Sequence, residues 1–299
     1  MISSTKNPRI VDVRKLSQRK HRQRQNRFMV EGLQLLGMAV QAMANSGGRD
    51  KIIPRELFYS EDLFTGDTAP RLLTQLTDAG AEAIAVDTRV LNTISDRDTS
   101  QGLVATFALQ ELELSLDQFK TIIQPPHLPI SPSPHLPSPI PNLQSPISNL
   151  ILILDQLQDP GNLGTLIRTA DSVAAAAIVL LEPCVDPFDP KTVRSTMGSL
   201  FTVPFMRTHQ AEATLRSLSN QGYRVVGADG AQGSTVWHGE ALAGPVALIL
   251  GNEARGLSAE LHASVDRYVS LPLLGQAESL NVSIAGGVLM YEWLRVNSQ

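Results

Sequence analysis

Three stretches of this 299-residue chain place polar residues where a buried α/β core asks for none, and a fourth gathers cations. In "LDQLQDPGNLGTLIRTADS", Pro160 and Gly161 turn the chain after an apolar run, and Asn162 is suited to cap the helix that begins near Leu163. Arg168 follows six residues later and could reach a ligand from the sheet's edge; a capped turn with a surface arginine is the plainer alternative. In "VALILGNEARGLSAEL" the apolar run stops at Gly251, where a glycine lets backbone approach a flat ligand, and Glu253 sets a carboxylate at the mouth. A helix capped by Ser258 is expected to follow. In "LPLLGQAESLNVSIAGG", Ser279 and Asn281 add donors and acceptors to a slot lined by Leu271, Leu274 and Leu280. A mostly apolar slot with a few placed polar groups suits a cofactor such as an adenosine, and a serine-rich loop ending in a helix cap is the alternative.

The cations lie at the other end. Residues 1 to 30 hold nine Lys/Arg against Asp12 alone, a charge of +8, so the remaining residues carry −12 within a net charge of −4. A basic arm on an acidic body suits a polyanion bound at one end, with a solvated helix face as the other reading. Within the arm, Arg19, Lys20, Arg22 and Arg24 are the candidate phosphate contacts.

These residues need elements to hold them. After residue 150, apolar runs alternate with helical patterns: "LILILDQL", "AIVLLE", "TVPFMR", "YRVVGAD" and "PVALILGN" as strands, "LGTLIRTADSVA", "PKTVRSTMGSLF" and "AEATLRSLSNQG" as helices. Continuous apolar strands between helices predict a parallel sheet covered on both faces, with ligands at the C-terminal strand ends. Before residue 110, "NRFMVEGLQLLGMAVQAM" reads as a helix, "RELFYS", "AEAIAVD" and "QGLVATFAL" as strands, and "PRLLTQLTDAG" as a helix closed by Gly80. Between the two, nine of the 19 prolines fall from Pro125 to Pro146, where "HLPISPSP" and "HLPSPIPN" form an imperfect repeat. The expected organisation is therefore a small α/β domain over 1–110, an acidic then Pro-rich linker over 111–149, and a second α/β domain over 150–299.

Composition excludes some classes. No apolar run approaches the roughly 20 residues of a membrane span, and the basic N-terminus lacks a signal peptide's apolar stretch, so a cytoplasmic location is expected. The single cysteine, Cys184, has no CxxC partner and reads as a packed thiol rather than a nucleophile. No metal site is read from the sequence.

Taken in order, "DPGNLGTLIRTADS", "LILGNEARGLS" and "LPLLGQAESLNVSIAGG" resemble the three motifs of the SpoU/TrmH family of RNA ribose 2′-O-methyltransferases, in the SPOUT class. The intervening "VDPFDPKTVRSTMGSLFTVPF" extends the likeness, and the N-terminal "ISSTKNPRIVDVRKLSQRKHRQRQNRFMVEGLQLL" resembles a ribosomal-protein-like substrate-binding domain. The resemblance implies an α/β fold whose C-terminal parallel-sheet domain closes in a deep trefoil knot, an exception to the rule that chains do not thread. It implies S-adenosylmethionine held by Leu250, Gly251, Leu271, Leu274, Ser279 and Leu280. It assigns catalytic importance to Asn162, Arg168, Glu253, Ser279 and Asn281. An arginine stays protonated in proteins, so Arg168 is expected to clamp a phosphate or stabilise the alkoxide, with a base role as the alternative. The implied substrate is RNA, rRNA before tRNA. The implied assembly is a homodimer through the knotted domain, with Leu289, Met290 and Trp293 of the final helix either at the interface or buried within the chain. A base-methylating relative and a non-catalytic RNA-binding assembly factor are the rival functions.

Overall fold

The computed structural model describes residues 1–45, 52–95, 100–109, 112–123, 149–230, 234–236 and 240–298, and they divide into two compact units that are not continuous in sequence. The first comprises Met1–Glu113 together with Leu163–Arg168 and Asp186–Thr202; the second takes the rest.

In the first unit the chain runs α1 (Pro8–Arg14), α2 (Arg19–Gln25), β1 (Arg27–Glu31), α3 (Leu33–Asn45), β2 (Pro54–Tyr59), α4 (Thr68–Asp78), β3 (Glu82–Ala85), α5 (Thr88–Ile94) and β4 (Leu103–Ala108). The four strands form one sheet in the order β1-β4-β2-β3, antiparallel except for the parallel β2–β3 pair. The first five residues after Asn26 are a strand, not the start of the expected helix. Phe28 and Val30 both face the core in alternation, and Gly32, at φ +106°, breaks the strand from α3. Phe28 and Phe107 pack with Phe188 and Phe201, at ring separations of 4.8 to 6.3 Å, so residues 186–202 complete this unit's core.

The second unit holds a seven-stranded sheet, parallel at every pairing, formed by β5 (Leu150–Asp155), β6 (Ala177–Leu181), β7 (Phe205–Thr208), β8 (Arg224–Ala228), β9 (Ser234–Thr235), β10 (Val246–Leu250) and β11 (Arg267–Ser270), with α9 (Ala211–Asn220) between β7 and β8. Every residue of β5, β6 and β10 is buried, as expected of strands covered on both faces. The order β7-β6-β5-β10-β8-β11-β9 inserts β10 between β5 and β8. Leu250 pairs with Leu154, which puts the loops leaving β5 and β10 side by side at one sheet edge. That is where an open parallel sheet binds ligands.

The first half of the expected linker belongs to the second unit. Ser115 and Gln118 make a reciprocal capping box that starts a short helix, α6 (Leu116–Ile122), and Phe119 and Ile123 are buried in the core beside Ile151, Val179 and Val225. The acidic composition hid two apolar anchors. The Pro-rich repeat itself lies outside the described residues.

Candidate active site

Asp155 ends β5 almost fully buried and accepts a hydrogen bond from the Ser258 N–H at 2.7 Å. Gln156 then adopts a left-handed conformation, φ +53°, and its carbonyl accepts from Asn252 Nδ2 at 2.8 Å. The chain enters α7 (Pro160–Ser172) three residues earlier than the sequence suggested. Asp159, not Asn162, is the cap, its carboxylate accepting from the Asn162 N–H at 2.8 Å, and Pro160 occupies the first helical position, where no N–H is missed. This shift matters chemically, because a capping side chain commits its oxygen to its own helix. Asn162, one turn in, has its amide available for other partners.

The loop after β10 is closed on itself. Asn252 and Gly256 exchange two backbone hydrogen bonds of 2.9 Å, and Asn252 Oδ1 accepts from the N–H groups of Ala254 and Arg255. A Cβ on Gly251 would lie 2.3 Å from the Gly256 carbonyl carbon, so only glycine fits where this loop doubles back. Ser258 does not cap a helix; its N–H is taken by Asp155, and a 3₁₀ turn follows only at His262–Ser264. The loop projects Glu253 outward, toward α7.

There the polar residues join. Glu253 accepts from the backbone N–H groups of Gln158 and Asp159, at 3.4 and 3.3 Å, and from Asn162 Nδ2 at 3.1 Å. Asn162 Oδ1 accepts from Asn281 Nδ2 at 2.9 Å. Asn281 is the cap of α10 (Val282–Asn297), its Oδ1 accepting from the Ser283 and Ile284 N–H groups and from the Ser283 hydroxyl at 2.6 Å. The two ends fix the polarity of this chain. A carboxylate only accepts and a backbone N–H only donates, so neither amide can flip without losing a bond.

The remaining predicted residues separate. Arg168 is exposed on α7, and six residues of helix turn it about 120° around the axis from Asn162 and about 9 Å along it. Ser279 is exposed in the 271–281 loop. Leu250 and Gly251 are buried at the end of β10, Leu271 is half-buried, and Leu280 is 42% exposed. Leu274 is 98% exposed, so among the described residues no side chain covers it. Among the described residues, 272–280 make no hydrogen bond to the rest of the protein. A loop with free backbone donors and acceptors, flanked by Leu273, Leu274 and Leu280, fits the apolar face and polar edge of an adenosine.

Leu289, Met290 and Trp293 are buried against their own chain, Trp293 Nε1 donating to the Gly244 carbonyl at 3.2 Å, so they are not an interface. The exposed apolar residues of α10 are Ile284, Val288 and Tyr291, spaced four and three apart on one stripe. Cys184 is buried, and burial pushes its thiol up to about 12, which removes it as a nucleophile. The described residues hold no His/Cys/Asp/Glu group able to bind a metal ion, and no described helix is long and apolar enough to cross a membrane.

In the basic arm the structure corrects one assignment. Arg19, Lys20 and Arg24 are exposed on α2, but Arg22 is 2% exposed and paired with Asp186, 164 residues away, so it cannot reach RNA. What the sequence missed is a cleft of about 650 Å³ lined by Lys15, His21, Arg24, Arg27 and Arg55 with Asp12 and Glu56. Burial, then Lys20, Lys15 and Arg24, hold the His21 imidazole below its ordinary value. Its lining is drawn from both ends of the stretch between Asp12 and Glu56, and the only early signal was the density of cations.

Residues 149–291 match the SpoU rRNA Methylase family, and residues 7–105 match the MRM3-like substrate binding domain. The chain is 32% identical to an uncharacterized tRNA/rRNA methyltransferase of Synechocystis over 97% of its own length and 92% of that protein's. It is 29% identical to the 23S rRNA (guanosine(2553)-2′-O)-methyltransferase RlmP of Bacillus subtilis, over 97% of both. Its fold matches the crystal structure of an AdoMet-bound rRNA methyltransferase from Sinorhizobium meliloti with a TM-score of 0.77 at 30% identity, over 98% and 97% of the two chains.

Proposed function

The chain belongs to the SpoU rRNA methylase family, and from that footing we propose that it methylates a ribose 2′-hydroxyl of rRNA, most simply of the 23S type, using S-adenosylmethionine. The observation that carries the reading is the Glu253–Asn162–Asn281 chain, which joins the three motif-bearing loops at the C-terminal edge of the sheet. Bound S-adenosylmethionine supplies a methyl group already activated by its sulfonium.

The protein's task is then positional. Leu250, Gly251, Leu271, Leu274, Ser279 and Leu280 hold the cofactor, and the trefoil knot belongs to the same reading; Gly251 lets the loop after β10 double back against Gly256. The fixed polarity of the two amides holds Glu253 and Asn281 in one arrangement before substrate arrives, so that little reorganisation remains at the moment of reaction. Arg168 clamps a phosphate or the developing alkoxide, and the hydroxyl proton leaves to that phosphate or to water. Its 120° rotation from Asn162 supports a homodimer in which Arg168 serves the partner's site, with Ile284, Val288 and Tyr291 as interface residues in place of the buried trio. Arg19, Lys20 and Arg24, with the cleft beside them, contact the RNA backbone. An rRNA substrate agrees with action in the cytoplasm.

The test is transfer of labelled methyl from S-adenosylmethionine to unmodified rRNA and tRNA followed by alkaline digestion. Label in alkali-resistant dinucleotides from rRNA is the expected result. Label in mononucleotides would indicate base methylation, label in tRNA alone would move the substrate, and no transfer with no cofactor binding would leave an RNA-binding factor. For Arg168, the Lys variant is expected to gain nothing as pH rises; recovery at raised pH would restore the base role.

A further inference from the structure

Arg22 sits in the most basic of the described helices, yet it is 2% exposed. Its Nε and Nη2 donate to Asp186 Oδ2 at 3.1 and 2.6 Å, and its Nη1 donates to the carbonyls of Leu16 and Ser17 at 2.8 and 2.9 Å. The other oxygen of Asp186 accepts from the Phe188 N–H at 3.1 Å, and Asp189, 4.0 Å from the same guanidinium, caps the next helix, α8 (Pro190–Ser195). Helix α8 in turn lies against α7. A Cβ on Gly164 would fall 2.3 Å from Ser195 Cβ and 2.8 Å from the Thr192 carbonyl oxygen. Gly164 and Arg168 are one turn apart on α7 and so share its face. An unbroken path thus runs from the arm, through Arg22, Asp186 and α8, to the helix turn that carries Arg168.

A buried ion pair is a poor source of net stability, because the cost of desolvating both ions offsets their attraction. Its planar fork, with two N–H groups on one Asp186 oxygen and a third nitrogen on the Leu16 and Ser17 carbonyls, does impose one relative placement on the segments it joins. We propose that Arg22 is a positioning residue for methyl transfer: it never touches RNA, but sets the place of α8 and, through Gly164, of Arg168. The inference rests on the methyltransferase reading above.

The experiment compares the full-length protein with its Arg22→Lys and Arg22→Met variants. Lysine keeps the charge and loses the fork; methionine fills the space without a buried charge. Four quantities are measured: amide hydrogen exchange, melting temperature, affinities for S-adenosylmethionine and rRNA, and the single-turnover rate at saturation. Expected is faster exchange over 163–168 and 187–196 in both variants. A rate lowered about ten- to hundredfold is expected with it, the scale of a misplaced catalytic group, while both affinities stay within about twofold. Arg24→Ala, on the exposed face of the same helix, is expected to weaken RNA binding without speeding exchange over 163–168 or 187–196. Unchanged exchange in the Arg22 variants overturns the inference, as does a lower melting temperature with the saturated rate intact, since a purely structural pair would give that. Weaker RNA binding with an intact rate overturns it too, returning Arg22 to the RNA surface. If the wild type transfers no methyl to any RNA, the functional reading fails, and the exchange data still decide whether Arg22 sets α8 and α7.

Discussion

Asn281 does two things at once, and a single substitution separates them. Its Oδ1 caps α10, while its Nδ2 donates to Asn162. Asn281→Asp keeps the cap, since Asp and Asn are equivalent there and a negative charge suits a helix N-terminus. It replaces the amide donor by an oxygen facing Asn162 Oδ1. Asn162 could turn its NH₂ toward the new carboxylate, but its carbonyl would then face Glu253, where the present bond is 3.1 Å long. Either way one acceptor meets another, so a hydrogen bond gives way to repulsion between two oxygens, at a cost of about 1–3 kcal/mol. If that energy is needed to hold the site, transfer slows roughly 5- to 150-fold. Asn281→Ala loses the same link and also the cap, a further cost of about 1 kcal/mol, which for a chain of this size lowers the melting temperature by about 2–4 °C. The pair of variants is assayed by single-turnover methyl transfer and by thermal unfolding. The expected pattern is impaired transfer in both, with the Ala variant melting about 2–4 °C below the Asp variant because it alone loses the cap. Transfer within twofold of wild type in Asn281→Asp would refute the claim that the amide chain organises the site, and an unchanged melting temperature in Asn281→Ala would refute the cap.

Gly251→Ala forces backbone apart at the Gly256 carbonyl, at a cost of about 1–3 kcal/mol, and is expected to weaken S-adenosylmethionine binding about tenfold or more by calorimetric titration; equal affinity would remove Gly251 from the cofactor wall. Replacing Arg19, Lys20 and Arg24 by Ala is expected to flatten the dependence of log affinity for rRNA on log salt by roughly 0.7–0.9 for each phosphate no longer neutralised, and an unchanged slope would take the arm off the RNA. Cys184, with its thiol near 12, is about four units from ionising at pH 8, so about one molecule in ten thousand is thiolate; iodoacetamide is expected to label it only after denaturation, and ready labelling of the folded protein would contradict its burial.

Much of this protein was legible without coordinates, for a physical reason. The parallel sheet followed from apolar runs such as "LILILD" and "VALIL", because a strand buried on both faces must be apolar throughout, a property local to five or six residues. Asn162, Glu253 and Asn281 were readable in the same way as polar residues in the segments that follow apolar runs. Where the local signal was ambiguous, reading failed: "RFMVE" carries apolar residues compatible with either period, and "ELSLDQF" hid Phe119 among acids. Tertiary structure alone decided which polar groups meet. Asn162 reaches Glu253 and Asn281 across 91 and 119 residues of sequence, and only after Asp159 had taken over the cap. Arg22 looked like one more solvent-facing cation, because a charge is buried only where a partner is brought to it, and Asp186 arrives from 164 residues away. Sequence determines what each segment prefers by itself. Which charges are spent inside the fold, and which remain for RNA, is set by packing between segments that no local window contains.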